Sequence, residues 1–400
     1  MKTLRFYIYA FCTQCGNSMA LMFLSLYLKS LKVDEAKIGG ILAIYHAVMP
    51  LVVLGVGLLA DRISCKLLIM LGTVLSLVYC LGMPYLSSFG AIVFAVCLGG
   101  IGVTLSFISI NVLFLKTLPE KKRGRLVSIF IASLTSGYAS GSALVSILVR
   151  EFSLPLSIIF YLGAFFHAIC ILMTLGLPEA SIERFPMIRY FHDIRQIPVF
   201  CLALLAFSLG IHWGAESFSM VRMMVENFNA NGYQMALFFI GTGIALGIFS
   251  RIAGHVIENH GGFAHFLIFG MFVSGFMHFI TAFAPGYNEF LLIRIVHTCG
   301  DGFVTFGVTM LVSLAFPSGR MGGNYGFNRT INNIGSAIGG TLSGFLVARY
   351  ALTTPFIVTG LFQILAACIL WYLKGHLPSM NHGKNLVASP LPSSIEDERP

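Results

Sequence analysis

The sequence contains very little charge for its length. Asp, Glu, Lys and Arg together make up 10% of the 400 residues, whereas a typical soluble domain has about 25%. Hydrophobic residues make up 57%, so 16 acidic and 25 basic side chains cannot cover the surface of a water-soluble protein of this size. The scarcity of charge excludes a soluble globular protein and predicts that most of the surface contacts lipid.

Several signatures of enzymes and of ATP-driven proteins are also missing. The sequence has no GxxxxGK[ST] motif for ATP, no HExxH motif and no recognisable Ser–His–Asp arrangement. Its nine cysteines lie mostly inside apolar runs, which argues against a disulfide framework. The net charge of +9 comes mostly from short loops, so we interpret it as a determinant of membrane topology and expect no nucleic-acid partner. We therefore expect no enzymatic activity, no cofactor and no metal centre.

Twelve apolar runs are each long enough to cross a bilayer as a helix, which takes about 20 residues. The runs are 5–28, 38–60, 67–86, 90–116, 126–149, 154–177, 199–225, 233–257, 263–283, 288–316, 326–350 and 354–373. They lack the alternation of polar and apolar residues that is typical of membrane β-barrels. The sequence predicts an all-α membrane protein with twelve transmembrane helices.

The basic residues predict the orientation of these helices. If the N-terminus is cytoplasmic, 18 basic residues lie on the inner side and six on the outer side, with Arg294 inside a helix. Because cytoplasmic loops are enriched in Lys and Arg, we expect a multi-pass monomer in the inner (plasma) membrane with both termini in the cytoplasm. The Pro- and Ser-rich tail, residues 375–400, is expected to be disordered.

A charged loop occurs twice between apolar runs. GLLADRISCK begins at Gly57, and GHVIENHGG begins at Gly254, 197 residues later, each between the second and third run of its half. This spacing indicates an internal duplication of six helices, which is typical of one large class of transporters. We predict an N-terminal six-helix bundle at 1–177, a cytoplasmic linker at 178–198 and a C-terminal six-helix bundle at 199–374.

The first copy resembles the signature loop of the major facilitator superfamily (MFS), in which a Gly precedes Asp-Arg by four positions and a basic cluster follows. The matching residues are Gly57, Asp61, Arg62 and Lys66 in the first copy and Gly254 and Glu258 in the second. Ser64 and Cys65 replace the family's Gly and Arg, and Asn259 replaces Arg in the second copy. The segment PEKKRGR at 119–125 resembles another loop of this family. The resemblance implies two pseudo-symmetric halves of six helices and a gating role for the matched residues, with contacts that join the halves on the inner side.

Ionisable residues within the second half have helical spacing. His212 and Glu216 share one face of helix seven, and Arg294, His297 and Asp301 share one face of helix ten. Their depths suggest Glu216–Arg294 and His212–Asp301 as pairs. Ionisable groups inside membranes are costly and are commonly functional, so we expect His212, Glu216, His297 and Asp301 to couple transport to protons, with Asp301 as the first candidate carrier. A permanent salt bridge that only locks the helices is the alternative.

Milder polar residues predict a substrate site. The candidates are Arg294, Trp213, Gln14, Asn17, His46, Asn111, Asn328 and Asn332. Trp213 either stacks on a substrate ring or packs against lipid. His167 and His278 are expected to be structural, because the helices that carry them are peripheral in the family.

These observations favour a secondary active transporter that is coupled to protons and moves a small organic solute by alternating access. Two alternatives use the same fold: a sensor or assembly factor that does not transport, and a lipid flippase. The direction of transport and the identity of the solute stay open.

Overall fold

The computed structural model describes residues 2–33, 35–119, 122–182, 185–260 and 263–377. Within these residues the regular structure is entirely helical, and twelve of the fourteen α-helices have 18 residues or more. The helices are α1 (Lys2–Met22), α2 (Leu24–Ser30), α3 (Glu35–Arg62), α4 (Cys65–Gly82), α5 (Phe89–Lys116), α6 (Arg123–Arg150), α7 (Ile158–Leu175), α8 (Met187–Ile194), α9 (Ile197–Arg222), α10 (Gly232–His260), α11 (Phe263–Thr281), α12 (Tyr287–Ala315), α13 (Met321–Arg349) and α14 (Thr354–Tyr372).

Each of the twelve predicted runs corresponds to one long helix, and the first run also contains the short α2. Nine long helices in the described part of the chain are apolar enough by themselves to cross a membrane. The other three are α1, α3 and α13, so their crossing stays a prediction. The all-α fold is confirmed. In lipid the helix is favoured because it satisfies every backbone polar group within its own segment.

The outer surface of the bundle is apolar. Large side chains such as Leu51, Phe94, Leu172 and Leu292 expose between 63% and 82% of their surface. Monomeric soluble proteins rarely expose contiguous apolar patches of this kind. The surface composition therefore supports a multi-pass membrane protein.

Helix α8 lies in the chain between the helices of the two predicted halves. In the first half α1 packs against α6 and α7, and α4 packs against α5; in the second half α9 packs against α13, and α11 packs against α12 and α14. The main contacts between the halves are α3 with α13 and α6 with α10. The predicted domain limits stay a prediction, and residues 378–400 of the predicted tail lie outside the described residues.

The two signature glycines lie at equivalent contacts between the halves. A Cβ on Gly57 would lie 2.5 Å from the Gly322 carbonyl oxygen, and a Cβ on Gly254 would lie 3.0 Å from that of Gly124. Only a residue without a side chain permits α3 and α13 to approach this closely. The duplication in the sequence is therefore also a duplication of helix contacts.

Candidate functional site

Six ionisable side chains from α9, α11 and α12 meet inside the second half, and we call them the central cluster. They are His212, Glu216, His278, Arg294, His297 and Asp301. The three histidines are fully buried, Arg294 and Asp301 expose 3% and 4% of their surface, and the Glu216 side chain is 20% exposed. A group of charges buried this deeply is expensive unless its members compensate one another.

Glu216 is at the centre of this cluster. Its Oε1 atom contacts Arg294 Nη2 directly and lies 3.0 Å from His212 Nε2, 3.5 Å from His278 Nδ1 and 3.7 Å from His297 Nε2. The suggested Glu216–Arg294 pair is therefore in direct contact. The other suggested pair is looser, because His212 Nε2 and Asp301 Oδ2 are 3.8 Å apart.

A chain of hydrogen bonds connects the two carboxylates of the cluster. Ser274 Oγ donates to Asp301 Oδ1 at 2.6 Å and accepts from Gln363 Nε2 at 2.9 Å. The Gln363 carbonyl oxygen in turn accepts from His212 Nδ1. The other nitrogen of His212 faces Glu216. An ionised Asp301 can only accept, so Ser274 must donate to it and must accept from Gln363. A change of charge at one carboxylate therefore alters the hydrogen bonds that reach the other.

A second group of polar contacts joins the halves at the end of the bundle that carries the 178–196 loop, which we call the linker face. Asp61, fully buried at the end of α3, accepts hydrogen bonds from the backbone N–H groups of Gly322 at 2.8 Å and Gly323 at 2.7 Å. These groups form the N-terminus of α13, where the helix dipole favours a carboxylate. Lys116 Nζ lies 2.8 Å from Asp61 Oδ1.

Helix α8 of the linker binds to the same contact. Tyr190 donates from its hydroxyl to Asp61 Oδ2 at 3.0 Å. Asp193 accepts from both Arg320 Nε and Nη2, at 2.7 and 2.9 Å, and from Asn324 Nδ2 at 2.9 Å. Burial, and then the charge of Asp61, raise the pKa of Tyr190 above its ordinary value, which keeps the phenol protonated as a donor. The linker is therefore attached to both halves.

The remaining predicted gate residues have different surroundings. Lys66 donates to the Leu175 carbonyl oxygen at 2.9 Å, so it stays within the first half, and the lysine that pairs with Asp61 is Lys116. Arg62 is half-buried beside Ile63 and Phe185. Glu258 lies in α10, but its side chain is outside the described residues.

The predicted substrate residues divide by their hydrogen bonds. Asn111 Nδ2 bonds to the Phe107 carbonyl of its own helix, and Asn332 Nδ2 bonds to the Ala206 carbonyl of α9, so both amides serve helix structure. Asn17 and Asn328 are buried, and among the described residues neither Asn17 amide atom nor Asn328 Nδ2 has a hydrogen-bond partner.

Three further candidates have less defined surroundings. Gln14 and Trp213 are half-buried. The side chain of His46 lies outside the described residues. Among the described side chains, no hydrogen bond or ion pair joins Gln14, Asn17 or Asn111 to the central cluster.

His278, expected from the sequence to be structural, lies beside Glu216, and its role stays a prediction. Its helix, α11, packs against α12 and α14, and this contact brings His278 within 3.5 Å of Glu216. Sequence reasoning also missed Ser274 and Gln363. The four-residue spacing of Ser274 with His278, and of Thr359 with Gln363, is the signal that could have found them.

Comparisons with known proteins identify a family and a fold. A family model described as the Major Facilitator Superfamily matches residues 6–263 and 202–393. An uncharacterized MFS-type transporter of Methanocaldococcus jannaschii is 19% identical over 377 residues, which are 92% of this chain and 96% of that protein. The hexuronate transporter of Bacillus subtilis is 22% identical over 151 residues, and this match spans only about a third of either chain: 37% of this one and 34% of that one.

Two solved structures share the fold. The human organic anion transporter MFSD10 (TETRAN) superposes with a TM-score of 0.74 at 14% identity, over 92% of this chain and 98% of that chain. The proton:xylose symporter XylE bound to 6-bromo-6-deoxy-D-glucose superposes with a TM-score of 0.72 at 15% identity, over 96% of each chain.

Proposed function

Since this chain belongs to the major facilitator superfamily, we propose that it is a secondary active transporter that couples the movement of a small organic solute to protons by alternating access. The family supports transport as such. The central cluster carries the finer proposal. The cluster has two carboxylates and one guanidinium, which pairs with Glu216, so it requires one further positive charge, and a proton taken up by the cluster supplies it.

In this proposal Asp301 is the first proton carrier and Glu216 the second. Asp301 is nearly completely buried, and its observed hydrogen-bond donor is the neutral Ser274 hydroxyl, whereas Glu216 directly contacts Arg294. A carboxylate that lacks a full counter-ion in a membrane interior favours its neutral form. A protonated Asp301 can donate a hydrogen bond to Ser274 Oγ instead of accepting one from it. This change alters the hydrogen bonds that lead from Ser274 through Gln363 to His212. Proton binding on α12 is thereby linked to the arrangement of α9.

The matched loop residues provide the gate in the same proposal. Gly57 and Gly254 permit the close contacts between the halves, and Asp61 with its donors on α13 stabilises the closed linker face. The orientation predicted from the basic loops makes this face cytoplasmic. We place Arg62, Lys66 and Glu258 in the supporting part of the gate.

The substrate class follows from the polar groups that are available. Asn17 and Asn328 offer amide atoms without partners among the described residues, and Arg294 and Trp213 lie on α12 and α9, two of the three helices that carry the central cluster. These groups suit an anionic or polyhydroxylated solute. The names of a hexuronate transporter, an organic anion transporter and a xylose symporter among the similar proteins suggest sugar acids, organic anions and pentoses as the first solutes to screen.

The test is proton flux in proteoliposomes during this screen. Asp301→Asn should abolish accumulation driven by a proton gradient while exchange of solute down its own gradient continues. Ser250→Ala is the matched control, because Ser250 is buried on α10 and bonds to the Gly302 carbonyl beside Asp301 without contacting the cluster. Proton-driven accumulation that survives in Asp301→Asn would contradict Asp301 as the carrier.

A further inference from the structure

Four members of the central cluster form a set of possible metal ligands. One donor atom from each of His212, Glu216, His278 and His297 lies within 4.8 Å of the other three. The distances from Glu216 Oε1 to the three ring nitrogens are 3.0, 3.5 and 3.7 Å. A tetrahedral zinc ion with bonds of about 2.0–2.1 Å has its donor atoms about 3.3 Å apart. The three distances from Glu216 Oε1 to the ring nitrogens are therefore already close to the donor–donor distance of a tetrahedral zinc site.

The hydrogen bonds of two imidazoles direct their lone pairs into the cluster. Gln363 Oε1 accepts from His212 Nδ1, which leaves His212 Nε2 facing Glu216. His278 Nε2 lies 2.9 Å from Thr359 Oγ1, and that hydroxyl donates its own proton to the Pro355 carbonyl. The proton of His278 is therefore on Nε2, and its Nδ1 lone pair faces the centre.

The third imidazole has a different arrangement. His297 Nε2 lies 3.2 Å from Ser274 Oγ, and because that hydroxyl donates its proton to Asp301, His297 Nε2 is the donor of this contact in the structure. His297 Nδ1 has no hydrogen-bond partner among the described residues and lies 3.7 Å from Asp301 Oδ2. Metal binding through Nε2 therefore requires the proton to move to Nδ1, which faces that carboxylate; an oxygen acceptor behind a ligating imidazole is the usual outer shell of a protein metal site.

The charge of the cluster favours a cation at its centre. The groups that face it are His212 and Glu216 from α9, Ser274 and His278 from α11, Arg294, His297 and Asp301 from α12, and Thr359 and Gln363 from α14. Tyr138 of α6 also interacts electrostatically with Glu216. Arg294 is the one permanent cation among these groups. Its Nη2 contacts Glu216 Oε1 and its Nη1 lies 3.3 Å from His278 Nδ1, so a metal ion requires the guanidinium to release both ligand atoms and to turn to the other oxygen of Glu216.

We propose that the central cluster binds one divalent transition-metal ion of the zinc class through His212 Nε2, Glu216 Oε1, His278 Nδ1 and His297 Nε2. Three imidazoles and one carboxylate suit zinc and its neighbours and do not suit Mg²⁺ or Ca²⁺, which prefer oxygen ligands. The partly exposed Glu216 provides the approach to the site. This inference deepens the proposed function, because the ion takes the position between His212 and Glu216 that a shared proton otherwise holds.

The test is metal binding by the purified full-length protein, prepared without a polyhistidine tag and stripped with a chelator. Titration with Zn²⁺ should show one high-affinity ion per chain, and Co²⁺ should produce the strong visible absorption of tetrahedral coordination. His278→Ala should lower the Zn²⁺ affinity by more than about 100-fold, because loss of a ligand exceeds the roughly 10–100-fold loss caused by removing an outer-shell partner.

Two further variants keep the result interpretable. His167→Ala is the matched control, because His167 is equally buried on a long helix of the first half and lies outside the cluster, and it should bind Zn²⁺ like the wild type. Glu216→Gln is the second ligand variant if His278→Ala does not fold, and it should lose the tetrahedral Co²⁺ absorption. The absence of stoichiometric binding, or equal affinity in His278→Ala and wild type, would overturn the inference. The binding measurement involves no transport step, so it can fail while the loss of proton-driven accumulation in Asp301→Asn still supports the proposed function.

Discussion

The contact between Asp61 and α13 allows a quantitative prediction about the two states of the transporter. Asp61→Asn replaces a carboxylate that accepts two backbone hydrogen bonds across the halves. Hydrogen bonds to charged groups contribute about 1.5–3 kcal/mol each. We take about 3 kcal/mol for the pair, which corresponds to roughly a 100-fold change in the balance between closed and open linker face at 1.4 kcal/mol per factor of ten.

The substitution has a second effect that must be separated from the first. Lys116 is only 3% exposed at its side chain and loses its carboxylate partner. Breaking a buried ion pair from one side costs about 3–5 kcal/mol. Asp61 and Lys116 are buried at the contact between the halves, so opening the linker face would hydrate Lys116, and this cost adds to the shift towards the open state. The double variant Asp61→Asn/Lys116→Met removes both charges, and it should recover stability while it keeps the shift in state.

The assay is a distance measurement between spin labels on the two halves. Leu67 and Ser318 are exposed at the linker face and accept the labels, with the cysteines that are not buried (Cys97, Cys299 and Cys368) replaced by serine. The double variant should show a longer distance and a larger open population than the wild type. Thr117→Val is the control, because the Thr117 hydroxyl beside Lys116 bonds only to the Leu113 and Phe114 carbonyl oxygens of its own helix. A wild-type distance distribution in the double variant would refute the gating argument.

Three further predictions concern the same face. Tyr190→Phe removes one donor to Asp61, so it should destabilise the closed linker face by about 1.5 kcal/mol and lengthen the mean label distance. Because the pKa of Tyr190 is raised, the contribution of its hydrogen bond should be constant below pH 10, the ordinary value, and decline only above it. Gly57→Ala should reduce transport strongly and lengthen the label distance, because the new Cβ would lie 2.5 Å from the Gly322 carbonyl oxygen. Gly55→Ala is its control: no atom lies within 4 Å of the Cβ that it adds, so it should behave as wild type in both assays. Asp193→Asn should detach α8, which increased proteolysis of the 178–196 loop would report, and an unchanged cleavage rate would count against this role of the linker.

The sequence predicted the architecture because lipid imposes it locally. A helix must be apolar over about 20 residues to cross a bilayer, so each long helix corresponds to a visible run, and loops such as 57–66 stand out by their charge. The duplication at Gly57 and Gly254 and the family resemblance could be read in the same way, and the family and the all-α fold are confirmed. The polar residues of α9 and α12 were identifiable because ionisable groups are rare in such runs.

Helix depth suggested the Glu216–Arg294 pair, but most partners of these residues could not be predicted from the sequence. Lipid is as apolar as the protein interior, so the hydrophobic pattern of a membrane helix does not reveal which face points inward or which helix is its neighbour. The packing of α11 and α14 against α12 and α9 decided that His278 and Gln363 join the cluster, and the end of α5 brought Lys116 instead of Lys66 to Asp61. The composition of the chain determined that it lies in a membrane, and the order of its residues determined which helices carry the charges. Only the tertiary structure decided that His278, Gln363 and Lys116 reach the buried charges, because those contacts join helices that are far apart in the sequence.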